Sequence, residues 1–272
     1  RENTEKTRIT DKRLNNNPNK EDKMNNIPEL KLGIVAVSRD CFPIELSKRR
    51  RASVVEECKK ANVKIAEIET IVENESDALK ALSELETQKV NALVIYLGNF
   101  GPEGPTTILA QKFDGPVMFV AAAEESGNDL IKGRGDAYCG MLNSSYSIGL
   151  RKLSPYISEY PVGVPSEIVM MISEFVPIAK IIIGLKSLKI FSFGPRPQDF
   201  LACNAPIKAL FDIGVEIMEN SELDLYDLFL SAEGNPKVKK IAEEMASELG
   251  HGNTYPDMLM KLAQYEYALI EF

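Results

Sequence analysis

The residue types that carry most enzyme chemistry are scarce in this sequence. It contains one histidine, His251, and four widely separated cysteines, Cys41, Cys58, Cys139 and Cys203. A self-contained zinc or di-iron site usually draws on several histidines or cysteines, and a serine or cysteine nucleophile needs a histidine beside it. Because His251 lies between two glycines with no cysteine near it, we predict a helix-terminal role for it. Any chemistry of this chain must therefore rest on carboxylates, on the backbone or on a part that is missing.

Candidate binding residues are concentrated instead in four loops that each follow a short apolar run. The loops span residues 39–43, 98–105, 122–136 and 194–200. In open α/β sheets, ligands bind at the carboxyl ends of the strands, so these loops are in a position to form a site. Solvent exposure alone would also make such loops polar, and this alternative stays open for each single residue. The polar and aromatic members are Arg39, Asp40, Phe42, Asn99, Phe100, Glu124, Glu125, Arg196, Gln198 and Asp199.

The apolar runs that precede these loops indicate a mostly parallel sheet. Residues 31–38, 92–97 and 116–121 are largely apolar on both faces, as expected of central parallel strands. Amphipathic segments alternate with them, which is typical of successive βαβ units. We predict an α/β protein with two successive doubly wound (Rossmann-like or flavodoxin-like) parallel-sheet domains, the second truncated and rich in helices at its C-terminal end.

The sequence divides into three predicted parts. Residues 1–28 hold many asparagines and charges but few large apolar side chains, so we predict a disordered leader. Residues 29–162 are predicted to form the first α/β domain, and a proline-punctuated stretch ends it. Residues 163–272 are predicted to form the second. Because a helical pattern continues to the final residue without a stop signal, we expect this second domain to be incomplete.

Composition and charge restrict the function classes. Of the 272 residues, 44% are hydrophobic and 26% are charged, which is typical of globular proteins and excludes collagenous or wholly disordered chains. The formal charge of −8 argues against a nucleic-acid or membrane partner, because both need a basic face. The most apolar stretch, residues 162–185, is interrupted by prolines and charges, which argues against a membrane span. Cysteines without paired spacing favour a reducing compartment, and we predict a cytoplasmic location.

A dinucleotide site is a further hypothesis for this fold class. The Rossmann fingerprint requires G-x-G-x-x-G directly after the first strand. Here that turn, residues 38–42, contains no glycine, and the glycines at 98, 101 and 104 follow a later strand with the wrong spacing. A nucleotide-dependent oxidoreductase or transferase is therefore the weakest of the hypotheses that we keep.

Two stretches of the sequence resemble a known enzyme family. The first runs from Leu32 to Pro43 and leads into an arginine-rich helix, and the second runs from Ile190 to Phe200 and continues to Glu219. Together they resemble the L-fucose isomerase and L-arabinose isomerase superfamily, in particular its L-fucose isomerase-like branch. The resemblance covers about residues 29–272. It implies the N-terminal and central domains of such an enzyme, with the C-terminal catalytic domain absent.

The resemblance implies a metal-dependent aldose–ketose isomerase of carbohydrate metabolism. Family members interconvert the two sugars through an enediol, while a divalent metal, usually Mn²⁺, polarises the neighbouring oxygens. In the family, two carboxylates and a histidine hold the metal, and we expect the corresponding positions to lie beyond Phe272. The resemblance therefore assigns no catalytic residue and no metal ligand to this chain. The chain is thus expected to be an inactive portion of a homo-oligomeric enzyme, a trimer or hexamer, that binds no metal by itself.

The resemblance also implies sugar contacts in the loops identified above. In the family, the first domain of one subunit caps the active site of its neighbour, and the loop after the first strand of the second domain lines the same pocket. Guanidinium groups would hydrogen-bond sugar hydroxyls, and phenyl rings would stack on the apolar face of the sugar. The predicted sugar-binding residues are Arg39, Phe42, Asn99, Phe100, Glu124, Arg196 and Asp199.

A function of another class fits the same sequence. A non-catalytic sugar-binding or sensing module with two α/β domains would close a cleft between both domains of one chain, whereas the isomerase hypothesis predicts half-sites completed by another subunit. Tight binding of a sugar by a monomer would favour the sensing module.

Overall fold

The computed structural model describes residues 27–124, 134–186, 188–194, 198–203 and 206–272. These residues form two compact units that divide after Lys186. Of the predicted leader, only residues 27 and 28 belong to the described part of the chain.

The first unit contains a five-stranded parallel sheet with the strand order β2-β1-β3-β4-β5. This is the flavodoxin-like order of doubly wound sheets, and the predicted α/β fold class is confirmed. The strands are β1 (Leu32–Val37), β2 (Ile65–Glu67), β3 (Ala92–Leu97), β4 (Val117–Ala122) and β5 (Tyr156–Gly163). The helices are α1 (Ile44–Lys60), α2 (Glu75–Thr87), α3 (Glu103–Lys112), α4 (Ala137–Leu150) and α5 (Pro165–Lys186).

The three central strands form the core of this unit. Every residue of β1, β3 and β4 is buried, which explains why these strands are apolar without alternation. The largest fully buried side chains include Tyr96 on β3 and Phe119 on β4. Because the centre of the sheet is covered on both faces, the strand ends are where polar side chains can meet a ligand.

Strand β5 is an element that the sequence pattern did not predict. Residues 156–163 follow a proline and contain Pro161, and this punctuation indicated a connection. In the structure they pair in parallel with β4 at the edge of the sheet, with a register shift between Phe119 and Ala121. An edge strand tolerates proline, because one side of its backbone has no ladder to complete.

Helix α5 belongs to the first unit, although the predicted boundary after residue 162 assigned it to the second. Its buried residues, Ile168, Val169, Ile172, Phe175 and Ala179, lie in the same hydrophobic cluster as the sheet. Among the described residues, it is the one helix that is long and apolar enough to cross a membrane. Length and composition do not distinguish such a span from a core helix, and the buried face of α5 packs against protein.

The second unit is smaller and rich in helices. Strands β6 (Lys189–Phe193) and β7 (Glu216–Asn220) pair in parallel in its described part. The helices are α6 (Ile207–Asp212), α7 (Glu222–Ser231), α8 (Pro236–Leu249) and α9 (Leu259–Glu271). A separate small core forms around Ala232, Val238, Ile241, Ala242 and Ala263. This arrangement agrees with the predicted helix-rich α/β character of the C-terminal part.

The core position of α5 leads to a stability prediction. Phe175 is fully buried and stacks on Tyr156, with 5.7 Å between the ring centroids. Replacing Phe175 with alanine should lower the free energy of unfolding by about 3–5 kcal/mol, because a large core side chain leaves a cavity. Urea denaturation measures this change. Met170→Ala on the exposed face of the same helix is the control and should change stability by less than about 0.5 kcal/mol; equal effects would contradict the core assignment.

The burial of Cys58 in α1 gives a second prediction. Burial raises the pKa of this thiol from 9.0 to about 11, with a smaller contribution from Glu57, whereas the other three cysteines are exposed. A thiol reagent at pH 8 should therefore modify the three exposed thiols before Cys58, which should react only as the protein unfolds. Cys58→Ala should abolish the slow phase, and a single rate for all four thiols would contradict the prediction.

The same raised pKa makes stability depend on pH. The folded state holds the Cys58 proton more tightly than the unfolded state does, so its contribution to stability is complete below about pH 9. That contribution is lost as the pH rises towards 11. Urea denaturation of the protein and of Cys58→Ala across this range measures the difference.

Candidate functional site

The pairing of β1 with β3 brings two of the predicted loops together. The strands are parallel and in register from Leu32 opposite Ala92 to Val37 opposite Leu97, so the residues after each strand emerge side by side. β2 lies on the far side of β1, and β4 lies on the far side of β3. The strand order therefore reverses here, and this is the topological switch point at which doubly wound sheets bind ligands.

Asn99 joins the two loops through its buried side chain. Its Oδ1 accepts hydrogen bonds from the backbone N–H groups of Arg39 (3.1 Å) and Gly101 (3.2 Å). Its Nδ2 donates to Ser38 Oγ (2.9 Å) and to the Pro43 carbonyl oxygen (3.3 Å). The side chain is 0% exposed and uses two acceptor and two donor positions within the protein. Asn99 therefore positions the loops, and direct contact of its amide with a sugar stays a prediction.

Three further predicted residues form a stack next to Asn99. The rings of Phe42 and Phe100 have centroids 5.7 Å apart and planes inclined by 14°. The guanidinium carbon of Arg39 lies 5.0 Å from the centroid of Phe100, which is within cation–π range. All three side chains are half-buried. The structure thus brings Arg39, Phe42, Asn99 and Phe100 together at the switch point.

A cavity of about 610 Å³ lies beside this cluster, and Arg39 is the residue of the cluster that lines it. Its volume is in the range of small-molecule sites. Glu73 and Asn74, which the sequence reasoning did not select, line it together with residues of the β1 and β3 loops. A signal was present in the sequence, because they follow the run at residues 63–68, which has a strand pattern. In the structure, Val72 pairs with Val37 at the end of β1, which brings Glu73 and Asn74 next to the β1 loop. The lining residues are Arg39, Asp40, Glu73, Asn74, Pro102, Glu103, Gly104 and Pro105.

Glu124 is engaged in a network that ties the third loop to the sheet. Arg50 on α1 is 4% exposed and donates to the Gly98 carbonyl oxygen (2.9 Å) and to Glu124 Oε2 (2.8 Å). Glu124 Oε1 accepts from the backbone N–H groups of Gly135 (3.0 Å) and Asp136 (2.7 Å). These contacts hold the end of β4 against the start of α4. A sugar contact of Glu124 stays a prediction, and the contacts assign it a positioning role.

Helix α4 packs closely against the β3 loop. A Cβ atom added to Gly140 would overlap the carbonyl oxygen of Phe100, so only glycine allows this approach. At the start of the same helix, a hydrogen bond to Asp136 is the main cause that raises the pKa of the exposed Cys139 thiol. This shift is opposite to the one that a helix N-terminus usually gives a thiol.

The remaining predicted site residues lie elsewhere. Asp199 belongs to the second unit, where it is exposed. Arg196, like Glu125, lies outside the described residues. Sugar contacts of Arg196 and Asp199 stay predictions.

A bound metal ion would need several donor side chains close together. Within the described residues, no three histidine, cysteine, aspartate or glutamate side chains form a group that could hold a metal ion. We therefore derive no chemical step through a metal on the described residues, and the position of the Mn²⁺ ligands in the implied enzyme stays a prediction.

The contact between α4 and the β3 loop leads to a paired prediction. Gly140→Ala should destabilise the protein by about 1–3 kcal/mol, because the added methyl group must displace Phe100. Gly149→Ala is the matched control in the same helix, since a Cβ there meets no atom within 4 Å. It should leave stability unchanged or raise it by up to about 1 kcal/mol. Urea denaturation and near-ultraviolet circular dichroism measure both effects, and equal behaviour of the two variants would contradict the close approach.

The chain is similar to proteins of known family and structure. A family model described as fucose/sulfoquinovose isomerase, N-terminal domain, matches residues 33–186, which is more than half of the chain and nearly all of the first unit. No curated protein sequence matches the chain. Among solved structures, the crystal structure of a galactofuranose binding protein is similar, with 13% identity and a TM-score of 0.27, over 90% of this chain and 100% of that chain. A TM-score this low does not establish a common fold.

Proposed function

Because the chain belongs to the fucose/sulfoquinovose isomerase family through its N-terminal domain, we propose that it forms the sugar-contacting N-terminal portion of an aldose–ketose isomerase. One observation carries this proposal: the family-matched unit places Arg39, Phe42 and Phe100 in a stack at its topological switch point. Stacked phenyl rings beside a guanidinium group offer a sugar both an apolar surface and hydrogen-bond donors.

The proposed role of these residues is binding and orientation. The rings of Phe42 and Phe100 would pack on the C–H face of the sugar and exclude water from it. Arg39 would donate to ring or chain hydroxyls, while Asp40 and Glu103 on the cavity wall would accept from them. Asn99 holds the backbones of both loops by hydrogen bonds, so the loops are in place before the sugar arrives.

Aldose–ketose conversion moves a proton between adjacent carbons and needs a base next to them. We assign no base to the described residues. We propose instead that the base and a Mn²⁺ ion come from other parts of the enzyme, and that this chain supplies part of the substrate enclosure. The proposal includes a cytoplasmic homo-oligomer, a trimer or hexamer, in which each cavity is completed by another subunit.

A sugar titration tests the binding role. Adding L-fucose to the 272-residue chain should shift the backbone amide NMR signals of residues 39–42 and 99–104. Phe100→Leu should weaken this binding about two- to tenfold, because it keeps apolar volume but removes the aromatic face. Phe211→Leu, at an exposed ring of the second unit, is the control and should have no effect. Shifts confined to other residues would contradict the proposed site.

A turnover assay tests the proposal that the catalytic groups lie outside this chain. The chain with Mn²⁺ should not convert L-fucose to its ketose, because the catalytic groups are proposed to lie elsewhere. Robust conversion would contradict that assignment. Tight binding by a monomer without conversion would favour the sensing module instead.

A further inference from the structure

The side chains that line the cavity have an unequal distribution of charge. Three are carboxylates, Asp40, Glu73 and Glu103, and among the described residues that line it Arg39 is the one guanidinium. The formal sum is −2 at neutral pH. A cavity with this lining presents far more acceptors for hydroxyl groups than donors for an anionic group.

The charge of Arg39 is already shared with neighbouring groups. Its Nη1 lies 4.0 Å from Glu103 Oε1, and its guanidinium carbon lies 5.0 Å from the centroid of Phe100. These contacts orient the guanidinium within the cluster and partly compensate its charge. An incoming anion would therefore have to compete with Glu103 for it.

Two helix N-termini at the cavity do not reverse this balance. Asn74 precedes α2 and Pro102 precedes α3, and each helix end contributes about half a positive charge. The chain supplies its own acceptors there. Asn74 Oδ1 accepts from the Asp77 N–H (3.0 Å), and Asp77 Oδ2 accepts from the Glu73 N–H (3.2 Å).

The partial positive charge at the N-terminal end of α3 is also compensated within the chain. Glu103 is the acidic residue of its first turn, and Pro105 in the same turn has no N–H to donate. Counting both helix ends still leaves the cavity negative by about one charge.

From this charge balance we infer that the cavity selects neutral sugars against sugars that carry a sulfonate, phosphate or carboxylate, and that Asp40 and Glu73 determine this specificity. The inference rests on the proposed function, because it assumes that a sugar occupies the cavity. Carboxylates can accept two or more hydroxyl hydrogen bonds from a neutral sugar. They repel the acceptor-only oxygens of a sulfonate, which is selection by an unfavourable contact with the wrong ligand.

The test compares ligands on the full 272-residue chain and on the double variant Asp40→Asn, Glu73→Gln. The probes are L-fucose, sulfoquinovose and inorganic sulfate, and binding is followed by backbone amide NMR shifts at residues 73–74 and 102–104. The double variant should bind sulfate and sulfoquinovose about five- to tenfold more tightly than the wild type, while its affinity for L-fucose should not rise, because two acceptors of sugar hydroxyls lose their charge. The gain should shrink at 1 M salt, where the screening length is about 3 Å.

A matched control removes two charges outside the cavity. Glu86→Gln combined with Glu159→Gln makes the same change in net charge at two exposed carboxylates of the first unit. This control should gain no more than about twofold in sulfate affinity. Thermal unfolding checks that both double variants are folded.

The outcomes separate this inference from the proposed function. Wild-type binding of sulfoquinovose as tight as that of L-fucose, or no gain of sulfate affinity in the Asp40, Glu73 variant, would overturn the inference. If neither sugar binds any form of the chain while the variant gains sulfate affinity, the proposed function is wrong, but Asp40 and Glu73 do exclude anions from the cavity. The inference would also be overturned if the Glu86, Glu159 control gained as much sulfate affinity as the Asp40, Glu73 variant.

Discussion

The parallel pairing of β1 with β3 is the constraint on which the site depends. Two completely buried strands in register fix where Arg39 and Asn99 leave the sheet, and the chain crosses from one side of the sheet to the other between them. Asn99 then converts this proximity into a defined loop geometry with four hydrogen bonds. Without the strand register, the aromatic stack and the cavity wall would have no common support.

A second layer of contacts extends this support to the third loop. Arg50 reaches from α1 to the end of β3 and to Glu124, and Glu124 in turn accepts from the start of α4. A charge as buried as that of Arg50 is tolerated only when it is paired, so removing either partner leaves an uncompensated group in the interior. The network therefore links the stability of the unit to the shape of the site.

Much of this arrangement could be predicted from sequence, and the remainder shows where sequence patterns mislead. Continuous apolar runs predicted β1, β3 and β4, and the loops after β1 and β3 supplied the residues that meet at the switch point. The sequence did not predict the edge strand β5, because Pro161 is typical of a connection between elements. Proline is compatible with an edge strand, whose backbone pairs with a neighbour on one side only, but the sequence does not show which strand lies at the edge. Glu73 was missed because it does not directly follow β2 (Ile65–Glu67) but lies several residues beyond its end. The role of Glu124 was missed because it depends on a buried arginine 74 residues away in the sequence.

The close fit of Gly140 against Phe100 has a consequence for the thermodynamics of binding. The β3 loop is held on one side by Gly140 of α4, which packs against Phe100, and on the other by the buried side chain of Asn99. It should therefore lose little conformational entropy when a ligand binds. Arg39, with its long side chain about 42% exposed, loses more when it is immobilised. For the proposed sugar, we therefore expect ordering of the β1 side of the cavity to limit the affinity, with the β3 side as a preformed template.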